Sequence, residues 1–469
     1  MCCDCESDSA ESDCTNMKGR RDYMATEVPI SAYQFDTQKV RAGYEPKDHK
    51  YAVSPPIYQT AAYDFRDVQN AADLFGLREL GFLYTRVGNP TVAVLEERVK
   101  TLDGAAAAIA LASGMAAISY TLLNLAEGGG RILTSPYLYG GSADSFKKIY
   151  PKFGIHFDLA KNIETPEALA AEIRPDTKAI FIESISNPST ILLDVDAIAR
   201  VAHAHGIPLV VDNTVATPYF FNPIAHGADI VVYSATKGLN GHGNLIAGLV
   251  LESGTFNYVT EKFPQFSEKY YTLRDIDGNH RSFPEVFPDA PFTSRIRFNY
   301  LNYFGAALSP FDAYLAIIGL ETLSERLGKQ ARNALALAEY LAAHKAVEWV
   351  RYPALKSSPH HDIYERDYKR GAGGILSFGF KGTQEQREAF LNDVNLIHYH
   401  VNIGDARTLI VNSPQTTHGE LEADEKALAG IPDNLIRISA GLEDAVDLIA
   451  DLKQAFEKAL SDKIIEEGV

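Results

Sequence analysis

Apolar and polar positions alternate along the chain in blocks that predict strands and helices in turn. Two short β-branched runs, 209–211 (LVV) and 230–233 (IVVY), are strand-length and stop abruptly at polar residues. AIFIESISNPS (179–189) reads as a further strand closing on polar residues, and VDAIARVAHAHG (195–206) has helical spacing before the strand LVVDN. Strand, helix and strand in that order form a βαβ unit, so a parallel sheet is expected there. Upstream, Asn89-Pro90-Thr91 opens a helical pattern in TVAVLEERVKTLDG that Gly104 closes. Residues 105–126 form a nearly apolar, alanine-rich run, read as a buried helix rather than a membrane span because it carries Ser113, Ser119, Thr121 and Asn124. Within that run, Ser113-Gly114-Met115 looks like a helix N-terminus, whose backbone N–H groups suit a phosphate or make a simple tight turn.

Beyond residue 248 the pattern changes. Ser309-Pro310 opens a helical pattern reaching about His344, with proline near the first turn, of the kind that joins two domains. GILSFGF (374–380), IRISAG (436–441) and AVDLIADLKQAFEKAL (445–460) suggest a smaller α+β unit. Residues 252–297 are aromatic and glycine-rich and read as a long irregular insertion. Residues 29–78 mix aromatics and prolines with little periodicity, and SPPIYQTAAYDF reads as extended chain. So long a stretch suits an arm packed on another subunit. The expected organisation is a disordered tail (1–28), this arm (29–78), a large mostly parallel α/β domain (79–310) and a C-terminal α+β domain (311–469).

Composition narrows the function classes. A net charge of −17 leaves no excess of Lys and Arg to neutralise phosphates, and no basic stripe compensates, so nucleic acid is not an expected partner. The four cysteines, Cys2, Cys3, Cys5 and Cys14, all lie in the polar tail. The body therefore has no disulfides, which fits a reducing compartment. The tail offers no apolar signal core and no glycine at position two, and Met24 would serve as an alternative start.

The chemistry gathers in residues 207–248. The first β-branched run delivers Asp212 and the second delivers Ser234, Thr236 and Lys237. Ligands in open α/β sheets sit at strand tips, so two neighbouring tips would build one site. Each residue alone has a plainer use: a lysine as solvated charge, Asp212 as a turn acid, Ser234 and Thr236 as turn caps. Together, an acid and a lysine among hydroxyls suit a phosphorylated nitrogen-ring cofactor bound as a Schiff base. GHGNLIAG (241–248) lacks the spacing of a dinucleotide loop. The histidine pairs at 203–205, 360–361 and 398–400 lack ligand partners at metal spacing, so no metal site is expected.

Seven motifs then occur in order: YTRVGNPT (84–91), SGMAA (113–117), YGGS (139–142), ESISNP (183–188), Asp212, SATK (234–237) and RISAGLE (437–443). With them the chain, from about Ala32 to Leu460, resembles the Cys/Met-metabolism family of pyridoxal-phosphate (PLP) enzymes. GHGN after the lysine, the insertion GTFNYVTEKFPQF, Ile185 in ESISNP and NIGDARTLIVNSPQTTHGEL (402–421) are similar to its O-acetylhomoserine sulfhydrylase branch. The resemblance implies a fold type I PLP-dependent transferase, cytoplasmic and homotetrameric, with sites shared between subunits and small-molecule substrates. It implies Lys237 as the Schiff-base lysine and proton shuttle, and Tyr139 stacked on the cofactor ring. Asp212 would hold the ring nitrogen, Asn187 the ring hydroxyl, and Gly114, Met115, Ser234 and Thr236 the phosphate. Tyr84 and Arg86 would reach in from a neighbouring subunit, and Arg437 and Asn402 would bind the substrate carboxylate. The implied reaction is γ-replacement: O-acetyl-L-homoserine plus sulfide or a small thiol gives L-homocysteine or methionine plus acetate. Asn244, where many sulfhydrylases have threonine, and RDIDGNHRSFPEV (274–286), which matches no family segment, leave open the acyl group, the acceptor and a cystathionine γ-synthase or γ-lyase activity.

Overall fold

The computed structural model describes residues 28–461 except Ile276, so the cysteine-bearing tail lies outside the described residues. Its centre is a sheet of β1 (Ala107–Leu111), β2 (Gly130–Thr134), β3 (Ile155–Leu159), β4 (Thr177–Glu183), β5 (Leu209–Asp212), β6 (Ile230–Ser234) and β7 (Gly248–Glu252). The spatial order is β1-β7-β6-β5-β4-β2-β3, and only β7 runs against the others. Alternate residues of these strands enter different cores. Leu209, Val211, Ile180, Ile182 and Val231 pack on one face, while Val210, Phe181, Ile230 and Val232 pack on the other. A sheet covered on both faces explains why its strands read as continuous apolar runs. It also aligns the C-terminal tips of β1, β2, β4, β5 and β6 along one edge.

A hairpin of β8 (Tyr270–Arg274) and β9 (His280–Arg281) follows. The expected irregular insertion is thus partly ordered. Its unplaced segment 274–286 holds the end of β8, the strand β9 and the helix Phe283–Val286, whose N-terminus Ser282 and Glu285 cap with a capping box. The second sheet has the order β10-β11-β14-β13-β12, built from β10 (Val347–Arg351), β11 (Ile375–Phe380), β12 (His398–Tyr399), β13 (Leu409–Val411) and β14 (Leu435–Ser439). Its core includes Phe378, Phe380, Phe390 and Phe456, the last on the closing helix Ala445–Ser461.

Three local readings are corrected. Residues 105–126 are not one helix but β1 followed by the helix Gly114–Leu125, divided at Ser113. Ser113 is extended and its hydroxyl accepts the N–H of Ala116, a capping bond that starts the helix there. No described helix is long and apolar enough to cross a membrane. The helical pattern 309–344 is two helices, Pro310–Glu321 and Leu323–Ala342. Arg326 causes the break: its guanidinium takes the carbonyl of Gly319 (2.7 Å) and also those of Gly238 and Leu239, just after Lys237. Residues 29–78 contain the helices Phe35–Arg41 and Val68–Phe75, although SPPIYQTAAYDF itself is extended.

Candidate active site

The aligned strand tips enclose a pocket of about 280 Å³. Helix Gly114–Leu125, following β1, presents its N-terminus with Ser113, Gly114 and Met115; the turn after β6 adds Ser234, Thr236 and Lys237. Asp212 ends β5, and Tyr139 and Asn187 come from the loops after β2 and β4. Gly114 is required by a close approach, since a Cβ there would lie 2.7 Å from that of Ser234. The same crowding sets N–H groups of the helix start beside the Ser234 hydroxyl, a cradle for an anion. Thr236 Oγ1 is partly engaged, accepting the N–H of Ala247 at 3.0 Å.

Lys237 Nζ donates to Asn402 Oδ1 at 2.6 Å. Burial lowers its pKa, the positive charge of Arg437 lowers it further, and Asp405 opposes them. The amine is therefore easier to deprotonate than a surface lysine. Asp212 accepts the N–H of Thr214 and has no cationic partner among the described residues. Its enclosure pushes its pKa up to about 6. Most of its surface is covered by the chain, and the part that stays open faces the pocket. A protonated ring nitrogen is the partner that this lone buried acid lacks.

Arg437, in the interior strand β14, is 1 % exposed. Nη1 donates to Asn187 Oδ1 (3.0 Å), Nη2 donates to the Asn402 carbonyl (3.1 Å), and Nε is buried without a partner. Burial holds its pKa down to about 10. A guanidinium this dry, with no acid beside it among the described residues, fits a carboxylate brought by a ligand. Asn402 lines a neighbouring cavity that also touches Tyr139, Thr236 and Lys237.

Tyr84 and Arg86 do not join this pocket within one chain. They border a separate depression with Gln59, Thr60, Gly305 and Pro310, where the Arg86 guanidinium lies 5.0 Å from the Tyr84 ring centre. Glu183 and Thr214 line the pocket and were not singled out from the sequence as site residues. Glu183 had a usable signal: like Asp212, it is an acid at the tip of a buried strand, and the two stand in register on β4 and β5. Its carboxylate accepts the N–H groups of Tyr139 (2.5 Å) and Asn187 (3.2 Å), while burial and then the charge of Asp212 raise its pKa. Away from the pocket, Asp196, His226 and Asp367 approach one another, but Arg366 already holds Asp367. None of the paired histidines belongs to that trio.

These features fit pyridoxal phosphate: an anion cradle, a strand-tip acid without a cationic partner for a ring nitrogen, and a deprotonatable lysine in the same pocket. Comparisons with known proteins agree. The homocysteine synthase of Schizosaccharomyces pombe is 41% identical over 92% of this chain and 100% of its own length. O-acetyl-L-homoserine sulfhydrylase 1 of Thermus thermophilus is 39% identical over 90% of this chain and 99% of its own. A 2.35 Å crystal structure from Campylobacter jejuni, described as an O-acetylhomoserine (thiol)-lyase with a pyridoxyl-lysine monophosphate, superposes with a TM-score of 0.86. It is 35% identical and covers 91% of this chain and 100% of its own. With the profile of the Cys/Met metabolism PLP-dependent enzymes matching residues 36–457, this chain is a member of that PLP-dependent family.

Proposed function

We propose that the enzyme catalyses γ-replacement on O-acetyl-L-homoserine, exchanging acetate for sulfide or a small thiol to give L-homocysteine or methionine. The buried Arg437, whose Nε has no partner and whose charge acts on Lys237, carries the amino-acid part of this reading; the similarity to proteins named homocysteine synthase and O-acetylhomoserine sulfhydrylase supports the donor. When bound, pyridoxal phosphate supplies an electrophilic carbon for the substrate amine and a ring that withdraws negative charge from Cα. Gly114, Met115, Ser234 and Thr236 would hold its phosphate, Tyr139 would cover its ring, Asp212 would keep a proton on the ring nitrogen and Asn187 would meet the ring hydroxyl. Arg437 and Asn402 orient the substrate carboxylate. The Lys237 amine would take the Cα proton of the substrate and later return a proton, a task suited to its lowered pKa. Steady-state rates with acyl-homoserines, acyl-serines and homoserine phosphate, each against sulfide, methanethiol and cysteine, test this. O-acetylhomoserine with sulfide or methanethiol should give the highest kcat/KM; preference for cysteine would establish cystathionine synthesis instead.

The raised pKa of Asp212 has a stability consequence. An acid held above its ordinary range destabilises the ionised fold: the cost is absent below about pH 4, grows as the pH rises to about 6, and is constant above that. At neutral pH it amounts to at most about 3 kcal/mol, less where water fills the pocket. Asp212→Asn should therefore raise the Tm of the cofactor-free protein by a few degrees at pH 7.5, with the difference vanishing near pH 4. It should also weaken cofactor binding by roughly tenfold or more. An unchanged Tm at pH 7.5 would contradict this.

We also place the enzyme in the cytoplasm as a homotetramer in which the 29–78 arm packs on a neighbouring subunit and Tyr84 and Arg86 complete that subunit's phosphate site. Their separation from their own pocket and the lack of an acid paired with Arg86 among the described residues support this. Arg86→Ala should weaken cofactor binding roughly tenfold or more, on the scale of a charge-assisted contact. Mixed oligomers of Arg86→Ala and Lys237→Ala chains should recover turnover that neither homo-oligomer has; hybrids as inactive as their parents would refute a shared site.

A further inference from the structure

Two buried titratable groups next to the pocket have no part in the chemistry above, and both touch one peptide unit. The N–H of Tyr139 is taken by Glu183 Oε1 at 2.5 Å. The carbonyl at the other end of the same peptide, that of Leu138, lies 3.2 Å from His418 Nε2. His418 Nδ1 lies 2.9 Å from the Thr417 hydroxyl, so the consistent tautomer carries its proton on Nε2 and donates to Leu138. Glu183 and His418 are 5 % and 1 % exposed, against 42 % for Tyr139. Burial holds the pKa of His418 down to about 4, so this neutral donor persists through the working pH range.

Neighbouring contacts stiffen the same point. Gly140 lies so close to the Thr417 carbonyl that no Cβ fits between them. Lys147, on the helix Gly140–Lys148, pairs with Glu425 at 2.8 Å. The second oxygen of Glu183 holds the N–H of Asn187. A peptide gripped at its oxygen from the 413–425 segment and at its nitrogen from the tip of β4 has no freedom to rotate, and Tyr139 is the residue it carries.

We propose that His418 and Glu183 are positioning residues that grip the Leu138–Tyr139 peptide from opposite ends and thereby aim the Tyr139 phenol over the cofactor. This rests on Tyr139 acting as the ring-covering residue. His418→Leu removes the donor. In the holoenzyme it should lower kcat roughly 10- to 100-fold, the scale of a misaligned catalytic group, and alter the circular dichroism of the bound cofactor. His418→Gln, whose terminal amide reaches the same carbonyl, should restore most of both. In a Tyr139→Ala background, His418→Leu should cost nothing further, because both losses pass through one ring. Wild-type kcat and dichroism in His418→Leu, or losses that multiply in the double variant, would overturn the positioning role while leaving Tyr139 in place. Wild-type kcat in Tyr139→Ala alone would remove the role of Tyr139 and the proposal with it. If His418→Leu does not fold, Glu183→Gln, which leaves one acceptor for two N–H groups, carries the same cycle with the same expected and contradicting results.

Discussion

Replacing Lys237 with alanine is expected to lower kcat on the order of 10⁴-fold, because in the proposed mechanism one side chain would serve as both the covalent anchor and the proton carrier at Cα. The environment of Nζ argues for both tasks. Burial and the nearby Arg437 charge favour the neutral amine, and the bond to Asn402 Oδ1 aims it toward the place where the substrate carboxylate would sit. Alanine leaves Asn402 able to bond other groups and leaves the β6 turn intact, since Lys237 contributes to that turn through its backbone. The variant should therefore fold, retain pyridoxal phosphate non-covalently through the phosphate cradle and Asp212, and fail to turn over. Turnover within tenfold of wild type would remove Lys237 from the chemistry.

Arg437→Ala should raise KM for the amino-acid substrate roughly 100-fold, corresponding to about 3 kcal/mol for a bidentate, charge-assisted pair in a dry site. Cofactor affinity should change little, because the direct hydrogen bond of Arg437 to a proposed cofactor residue is the single one to Asn187, and its effect on Lys237 is through charge. The protein should survive the change. An arginine buried without a counter-charge carries a desolvation cost that alanine relieves, which offsets part of the lost hydrogen bonding. Arg437→Lys should recover charge but not the planar fork, leaving KM about tenfold above wild type. Loss of cofactor with KM unchanged would assign Arg437 to the cofactor instead.

The strand tips were legible because their signals are local: LVVD and IVVYS each combine a β-branched run with a polar stop, and the structure brings them together at Asp212 and Ser234. The reversed direction of β7 was not legible, since a short apolar run reads alike in either direction. In residues 105–126 the helix start at Ser113 was legible, but the strand before it was not, because alanine suits a buried strand and a helix equally. The break at Thr322 comes from the Arg326 guanidinium reaching the 238–239 carbonyls, a contact between distant segments that periodicity does not encode. Glu183 lies in ESISNP and His418 in the 402–421 segment, but their shared contact is one peptide unit, which only the fold assembles.

In the proposed site the tips of β5 and β6 hold the cofactor, with Lys237 as its anchor. The most direct test of this is borohydride reduction of the purified holoenzyme followed by peptide mapping. The pyridoxyl phosphate mass should be found on Lys237 alone and be absent from Lys237→Ala; its appearance on another lysine would contradict the assignment.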